Sequence, residues 1–310
     1  MNAASRVKNG LDGSDHPGSN RGFLLGLGAY LLWGILPLYF KAVADVAPLD
    51  IVSHRVLWSL PFLGILIALG KRWPKVRAVL AEPRTLAVLA LTAALIGGNW
   101  LLYTYAVVSG HILAASFGYY LNPLANVLLG RFVLKEQLSR NQWIAVTIAG
   151  AGICVLAASS LGQLWISLAL CASFALYGLL RKVVRADAMT GLAIETGLLF
   201  PLAIGLLAWR TAAGAPTFGS GRADAGLLLL AGIVSTTPLL LFTAAARKLA
   251  YSTLGMLQFI APTLQFLIAV VVYGEPFTRA HAIAFAAIWT ALVLYVTELV
   301  RKPRLPQAPE

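Results

Sequence analysis

Along residues 23–300, long apolar stretches alternate with short polar ones, and the apolar stretches are too long for an ordinary buried helix. Roughly 20 apolar residues carry an α-helix through about 30 Å of hydrocarbon. On that scale the pattern predicts ten spans, at 23–43, 49–70, 85–107, 111–133, 142–160, 163–180, 190–209, 225–246, 252–273 and 280–300. They must be helices, because lipid offers no partner to an unpaired backbone N–H or C=O. Residues 1–20 are rich in Gly, Asn, Ser and Asp with no apolar core, which predicts a disordered cytoplasmic tail rather than a secretory signal. A second short tail is expected at 303–310.

The polar positions carry a repeat. Residues 103–140 lie on 242–279 without a gap at a constant offset of 139, which brings Pro123 onto Pro262, Glu136 onto Glu275 and Arg140 onto Arg279. Leucine and valine matches mean little in apolar sequence; matched Pro, Glu and Arg at one offset mean more. The third and fourth spans thus fall on the eighth and ninth, so the chain divides into five helices plus five, at 21–160 and 161–302. Five is odd, so the second copy enters the membrane from the opposite face. The expected fold class is an all-α polytopic membrane protein with ten transmembrane helices in two inverted repeats. That architecture belongs to secondary transporters, with the substrate site near the midplane between the halves.

Composition agrees with lipid as the solvent: 59% of the 310 residues are hydrophobic and 12% charged, against about 25% charged in ordinary soluble domains. The formal charge of +12 does not indicate nucleic acid, because the basic residues fall in short clusters between spans. With a cytoplasmic N-terminus, nineteen of the 24 Lys and Arg lie in inner segments, Arg181 among them. Lys41, Arg210, Arg222 and Arg279 lie in outer segments, and Arg55 lies inside the second span. This bias puts both termini in the cytoplasm.

The stretches IVSHRVLWS, NWLLYTYAV and LNPLANVLLGRFVLKEQLS, in the second, third and fourth spans, together resemble the RarD proteins of the EamA branch of the drug/metabolite transporter superfamily. The resemblance covers residues 21–300. It implies ten helices in two repeats, a cell inner-membrane location and transport without ATP. The family name reflects a proposed link to chloramphenicol sensitivity; the resemblance supplies no physiological substrate.

Charges within a span face a cavity or a partner. Arg55 sits about six residues into the second span, roughly 9 Å below the outer boundary. There it either snorkels to the headgroups or lines the pathway, where its guanidinium binds an anionic or carbonyl-bearing substrate. At an offset of 140 it falls opposite Glu195 of the seventh span. About 12 Å of vertical separation disfavours a direct contact and favours one ionisable group in each half of the cavity. Glu195 is the candidate for proton coupling, with a structural hydrogen bond as the alternative; His54, beside Arg55, is a proton relay or a helix–helix hydrogen-bond donor. Tyr103, Tyr119, Asn122, Asn126, Gln258 and Gln265 are expected either to line the pathway for an amphipathic substrate or to hydrogen-bond helix to helix. Pro123 and Pro262 are candidate hinges or static kinks.

The chemistry points away from an enzyme. Four scattered histidines and two cysteines in apolar runs form no catalytic or metal-binding constellation, and no GxxxxGK[ST] phosphate loop is present. No cofactor or metal is expected. The predicted function is secondary transport, by alternating access, of a small amphipathic drug or metabolite. Export is favoured, protons are the candidate coupling ion, and import of a small metabolite is the alternative. A non-transporting scaffold or receptor is the reading of another class. The partners expected are the small-molecule substrate, the lipid bilayer and protons.

Overall fold

The computed structural model describes residues 20–108, 112–157, 164–219, 221–272, 274 and 279–301. Nearly all of both tails and the repeat position Glu275 lie outside the described residues. All regular structure among the described residues is helical: α1 (Asn20–Ala42), α2 (Pro48–Leu69), α3 (Trp73–Leu80), α4 (Pro83–Val108), α5 (Ile112–Phe132), α6 (Arg140–Ala157), α7 (Leu164–Val183), α8 (Ala188–Ala212), α9 (Arg222–Ala246), α10 (Tyr251–Gln258), α11 (Ile260–Leu267), a π-helical turn at Ile268–Val272, and α12 (Arg279–Arg301). Seven helical stretches among the described residues are long and apolar enough to cross a membrane. The chain is a polytopic membrane protein.

Local sequence explains the helix ends. Pro48, at the first position of α2, has no N–H to leave unpaired and a φ already suited to a helix. Asp187 caps α8, its carboxylate accepting from the backbone N–H groups of Met189 and Thr190 at 3.1 and 3.0 Å. Burial works against the charge on Asp187, but hydrogen bonds from Thr190 and the nearby Arg72 and Lys75 hold its pKa below the usual carboxylate range.

The structure adds detail at three places. The ninth span is a candidate crossing at Tyr251–Val272, interrupted at Phe259 between α10 and α11. Pro262 has no N–H for the carbonyl of Gln258 four residues earlier, so that turn cannot close as an α-turn. Pro123 lies inside an unbroken α5, so the two matched prolines do not act alike. The polar loop after α2 contains the short helix α3, which is too short to have registered as a span. Arg181, assigned above to a cytoplasmic segment, is fully buried within α7, which runs on to Val183.

The helices pack in pairs: α1 with α9 and α11, α2 with α8 and α9, α4 with α7, α5 with α7 and α10, and α6 with α12. At the α2–α9 crossing the backbones touch at Gly232. A Cβ there would lie 2.6 Å from the backbone N of Ser59, whose hydroxyl donates to the Gly232 carbonyl at 3.3 Å. Gly232→Val is therefore expected to force α9 off α2 and destabilise the chain by about 1–3 kcal/mol. A lowered apparent melting temperature in detergent, relative to Gly226→Val in open space, is the check.

Candidate functional site

α2, α4, α8 and α9 surround a small cavity lined by Val56, Ile96, Leu192, Leu199 and Leu239, with polar atoms from Ser59, Glu195, Thr196, Ser235 and Thr236 and the ring of Trp100. Measured with a water-sized sphere it holds about 10 Å³, room for about one water. A cavity of that size has no room for an organic substrate. Thr236 presents a buried hydroxyl without a hydrogen-bond partner among the described residues.

At one end of the cavity stands Arg55 on α2. Its Nε–H donates to the hydroxyl of Ser235 on α9 at 2.7 Å. Its guanidinium lies over the ring of Trp100 on α4, Cζ 4.5 Å from the centroid, and 5.9 Å from the ring centre of Phe40 on α1. Ser235 and Trp100 both line the cavity, so Arg55 forms its rim. The rings of Tyr103 and Tyr119 lie 5.6 Å apart.

At the other end Glu195 of α8 is 1% exposed. Its Oε1 accepts from Thr92 of α4 and lies 3.4 Å from Nε of Arg181, while Tyr177 donates to Oε2 at 3.4 Å. The guanidinium is pinned over the α7–α8 turn, where Nη2 donates to the Ala188 carbonyl at 3.0 Å. Only glycine fits beneath it: a Cβ at Gly191 would come 2.7 Å from Arg181 Cζ. Glu195 therefore pairs with Arg181, while among the described residues Arg55 has no carboxylate partner.

Two further ion pairs clamp the ends of α2 and α8. Arg210 forks onto Asp50, Nε–Oδ1 at 2.6 Å and Nη2–Oδ2 at 3.0 Å, and at the opposite end Arg72 meets Asp187 at 3.3 Å. The two helices are thus antiparallel and held at both ends, about 30 Å apart at 1.5 Å per residue.

The remaining expected residues divide between pathway and packing positions. Tyr103 and Tyr119 pack ring against ring, Tyr103 three residues along α4 from the Trp100 ring that Arg55 covers. His54 is fully buried and bonded at both nitrogens. Trp58 Nε1–H donates to Nδ1 at 3.2 Å, which leaves Nε2 as the donor to the Thr217 carbonyl at 2.9 Å. That arrangement fits a neutral ring. Asn126 donates to Gln258 at 2.8 Å across α5 and α10, and Gln265 donates to the Trp33 carbonyl at 2.9 Å. These amides join helices away from the cavity. Asn122 is buried with neither amide atom hydrogen-bonded among the described residues. Sequence reasoning missed Arg181, Thr92, Tyr177 and Ser235. Hydroxyls in apolar runs carry no signal of their own, and Arg181 is masked by Lys182 beside it.

A bundle of long apolar helices around a small, mostly apolar cavity with an ionisable residue in its wall fits a membrane transporter, and the comparisons agree. Residues 20–158 match the EamA-like transporter family. The chain is 46% identical to an uncharacterized transporter of Vibrio cholerae, over 91% of this chain and 93% of that one. It is 42% identical to the protein RarD of Escherichia coli, over 92% and 97%, and 34% identical to the chloramphenicol-sensitive protein RarD of Pseudomonas aeruginosa, over 89% and 93%. A crystal structure of a protein 20% identical matches the fold with a TM-score of 0.70, over 91% of this chain and 99% of that one. The chain belongs to the RarD family of EamA-type transporters.

Arg181→Met leaves the Glu195 carboxylate buried without its countercharge, an expected loss of about 3–5 kcal/mol. Adding Glu195→Leu removes the orphan and should recover much of it. Apparent melting temperatures of the two variants in detergent make the comparison; a double variant no more stable than the single one contradicts the pairing.

Proposed function

We propose that the chain is a secondary transporter that moves a small amphipathic organic compound through the α2–α4–α8–α9 cavity by alternating access. The fold is read as ten membrane crossings, with α3 outside the bilayer and α10, α11 and the π turn forming one broken crossing. They form two inverted repeats at 21–160 and 161–302, with tails at 1–20 and 303–310, in the cell inner membrane, and both termini are cytoplasmic. The packing supports the inversion. Exchanging the halves turns the α1–α9 pair into α7–α4 and the α5–α7 pair into α11–α1, while α2–α8, α5–α10 and α6–α12 map onto themselves, and all of these pairs are in contact. The crossed acid–arginine clamps of α2 and α8 obey the same exchange.

The observation that carries the functional reading is the cavity with an ionisable residue at each end. Glu195 lies in its wall beyond reach of bulk water, and Arg55 stands on its rim. Closed volume for one water means that substrate enters only when one set of helix contacts opens, and with Arg181 and Tyr177 fully buried the sealed end is the cytoplasmic one. Pro262, at the α10–α11 break, is the hinge best placed to absorb such a change; Pro123 lies in an unbroken helix and serves as a fixed kink.

Glu195 is the coupling residue in this reading. As a carboxylate it accepts from Thr92; once protonated it can donate to the same oxygen, because the Thr92 hydroxyl has a second acceptor in the Leu89 carbonyl at 3.0 Å. The hydroxyl rotor serves both protonation states. Protonation also strips Arg181 of its countercharge and so biases the α7–α8 contact towards opening. His54, with both nitrogens engaged, has the structural task of tying α2 to Thr217 in the segment after α8.

Export is the favoured direction and import of a small metabolite the alternative. The test is flux in proteoliposomes over a panel of amphipathic compounds, with chloramphenicol included because one relative's name records sensitivity to it. A compound moved by wild type should respond to a pH gradient. Glu195→Gln should still move it without that response, and Arg55→Ala should lose about tenfold or more in uptake. Variants that match wild type in both respects assign these charges a purely structural role.

A further inference from the structure

We propose that the substrate is an organic monoanion, a carboxylate on a flat apolar skeleton, and that Arg55 takes the carboxylate end-on. The inference rests on the transporter reading above and specifies the chemistry which the same site selects.

Charge balance comes first. Three charged side chains belong to the site. Arg181 and Glu195 cancel at 3.4 Å, which leaves Arg55 as a single positive charge without a carboxylate among the described residues. An arginine does not shed its proton in a protein, and a charge within a span is costly until paired. A neutral substrate leaves that charge unbalanced, a cation adds to it and a dianion overshoots it. A monoanion neutralises it.

Geometry then selects a carboxylate. Of the five N–H donors of the guanidinium, the Nε donor is taken by Ser235, and one face is covered by Trp100 with Phe40 nearby. The edge formed by the two Nη atoms has no acceptor among the described residues. Two parallel N–H groups match the two oxygens of a carboxylate; a ketone or alcohol uses one of them and wastes the other. Ser235 and Trp100 hold the fork in place, so little side-chain freedom is lost on binding.

The walls supply the apolar part. The rings of Tyr103 and Tyr119 lie 5.6 Å apart, and Tyr103 follows Trp100, the ring under the guanidinium, by three residues on the same face of α4. The Tyr39 hydroxyl is committed to the Leu227 carbonyl at 3.0 Å and that of Tyr119 points to Asn99 at 3.5 Å, so these phenols have their polar ends engaged elsewhere. Deeper in, the unpartnered Thr236 hydroxyl offers one contact for a polar substituent.

The test is equilibrium dialysis of the purified full chain in detergent against three labelled probes of one shape: 3-phenylpropionate, 3-phenylpropanamide and 3-phenylpropylamine. The carboxylate should bind wild type at least about tenfold more tightly than the amide, the difference that charge-assisted hydrogen bonds produce. The amine should bind more weakly still. Arg55→Gln should remove the preference for the carboxylate over the amide. Arg55→Lys, which keeps the charge and loses the fork, should retain only part of it and guards against misfolding of the first variant. Equal binding of carboxylate and amide, a carboxylate preference that survives Arg55→Gln, or no carboxylate binding near its solubility limit each overturns the proposal. The transport reading fails separately: any probe or panel compound carried by wild-type liposomes faster than by protein-free ones keeps it standing, whatever charge the site prefers.

Discussion

The interior of this chain is organised around a guanidinium that cannot be discharged. Arg181 is wholly buried, and an arginine, unlike a lysine, does not escape burial by losing its proton. Everything near it follows from that. Glu195 must supply the countercharge from the next helix, Thr92 and Tyr177 must satisfy the carboxylate, and residue 191 must be glycine to leave room for the planar group. Helices α4, α7 and α8 are thereby fixed to one another at a single polar point inside an otherwise apolar bundle. Tyr177, which donates to Glu195, also packs ring against ring with Phe242, and Phe242 and Trp33 with Phe174, in the adjoining apolar core.

The second constraint is the length of the bilayer. Acid at the start and arginine at the end of both α2 and α8 make two ion pairs, one at each end of an antiparallel pair. A buried pair adds little net stability compared with a well-packed apolar substitute, but removing one partner is costly. Such pairs specify register more than they add strength. Two clamps of unequal burial, Asp50 at 1% exposure and Asp187 at 32%, also give the two ends different resistance to opening.

Much of the architecture was legible in the sequence because lipid removes alternatives: with water absent, a long apolar run has to be a helix, and its length is set by the membrane. The proposed repeat rests on proline and glutamate matches at one offset, residues that stand out in apolar segments where leucine and valine do not. Arg55 and Glu195 stood out for the same reason. Their partners did not. Thr92, Ser235 and Thr236 are unremarkable in sequence, and only the crossing of α2, α4, α8 and α9 turns them into a lining. Arg181 followed by Lys182 reads as the end of a span, yet one points into the bundle and the other donates to the carbonyls of Ala246, at the end of α9, and Leu249, just beyond it. One residue, about 100° around the helix, separates a topology signal from a buried ion, and hydropathy does not resolve that. The break at Phe259 was legible as Pro262 but not as an interruption, because α5 carries the matched Pro123 without one.

The most direct measurement is the sidedness of the cavity. A single cysteine at Thr236, in a Cys154→Ser, Cys171→Ser background, is exposed in right-side-out and in inverted vesicles to a membrane-impermeant maleimide. Alternating access predicts slow labelling from both sides, with protection by any compound the chain transports. Labelling from neither side, or from one side under every condition, contradicts it and leaves the cavity a packing defect beside a structural ion pair.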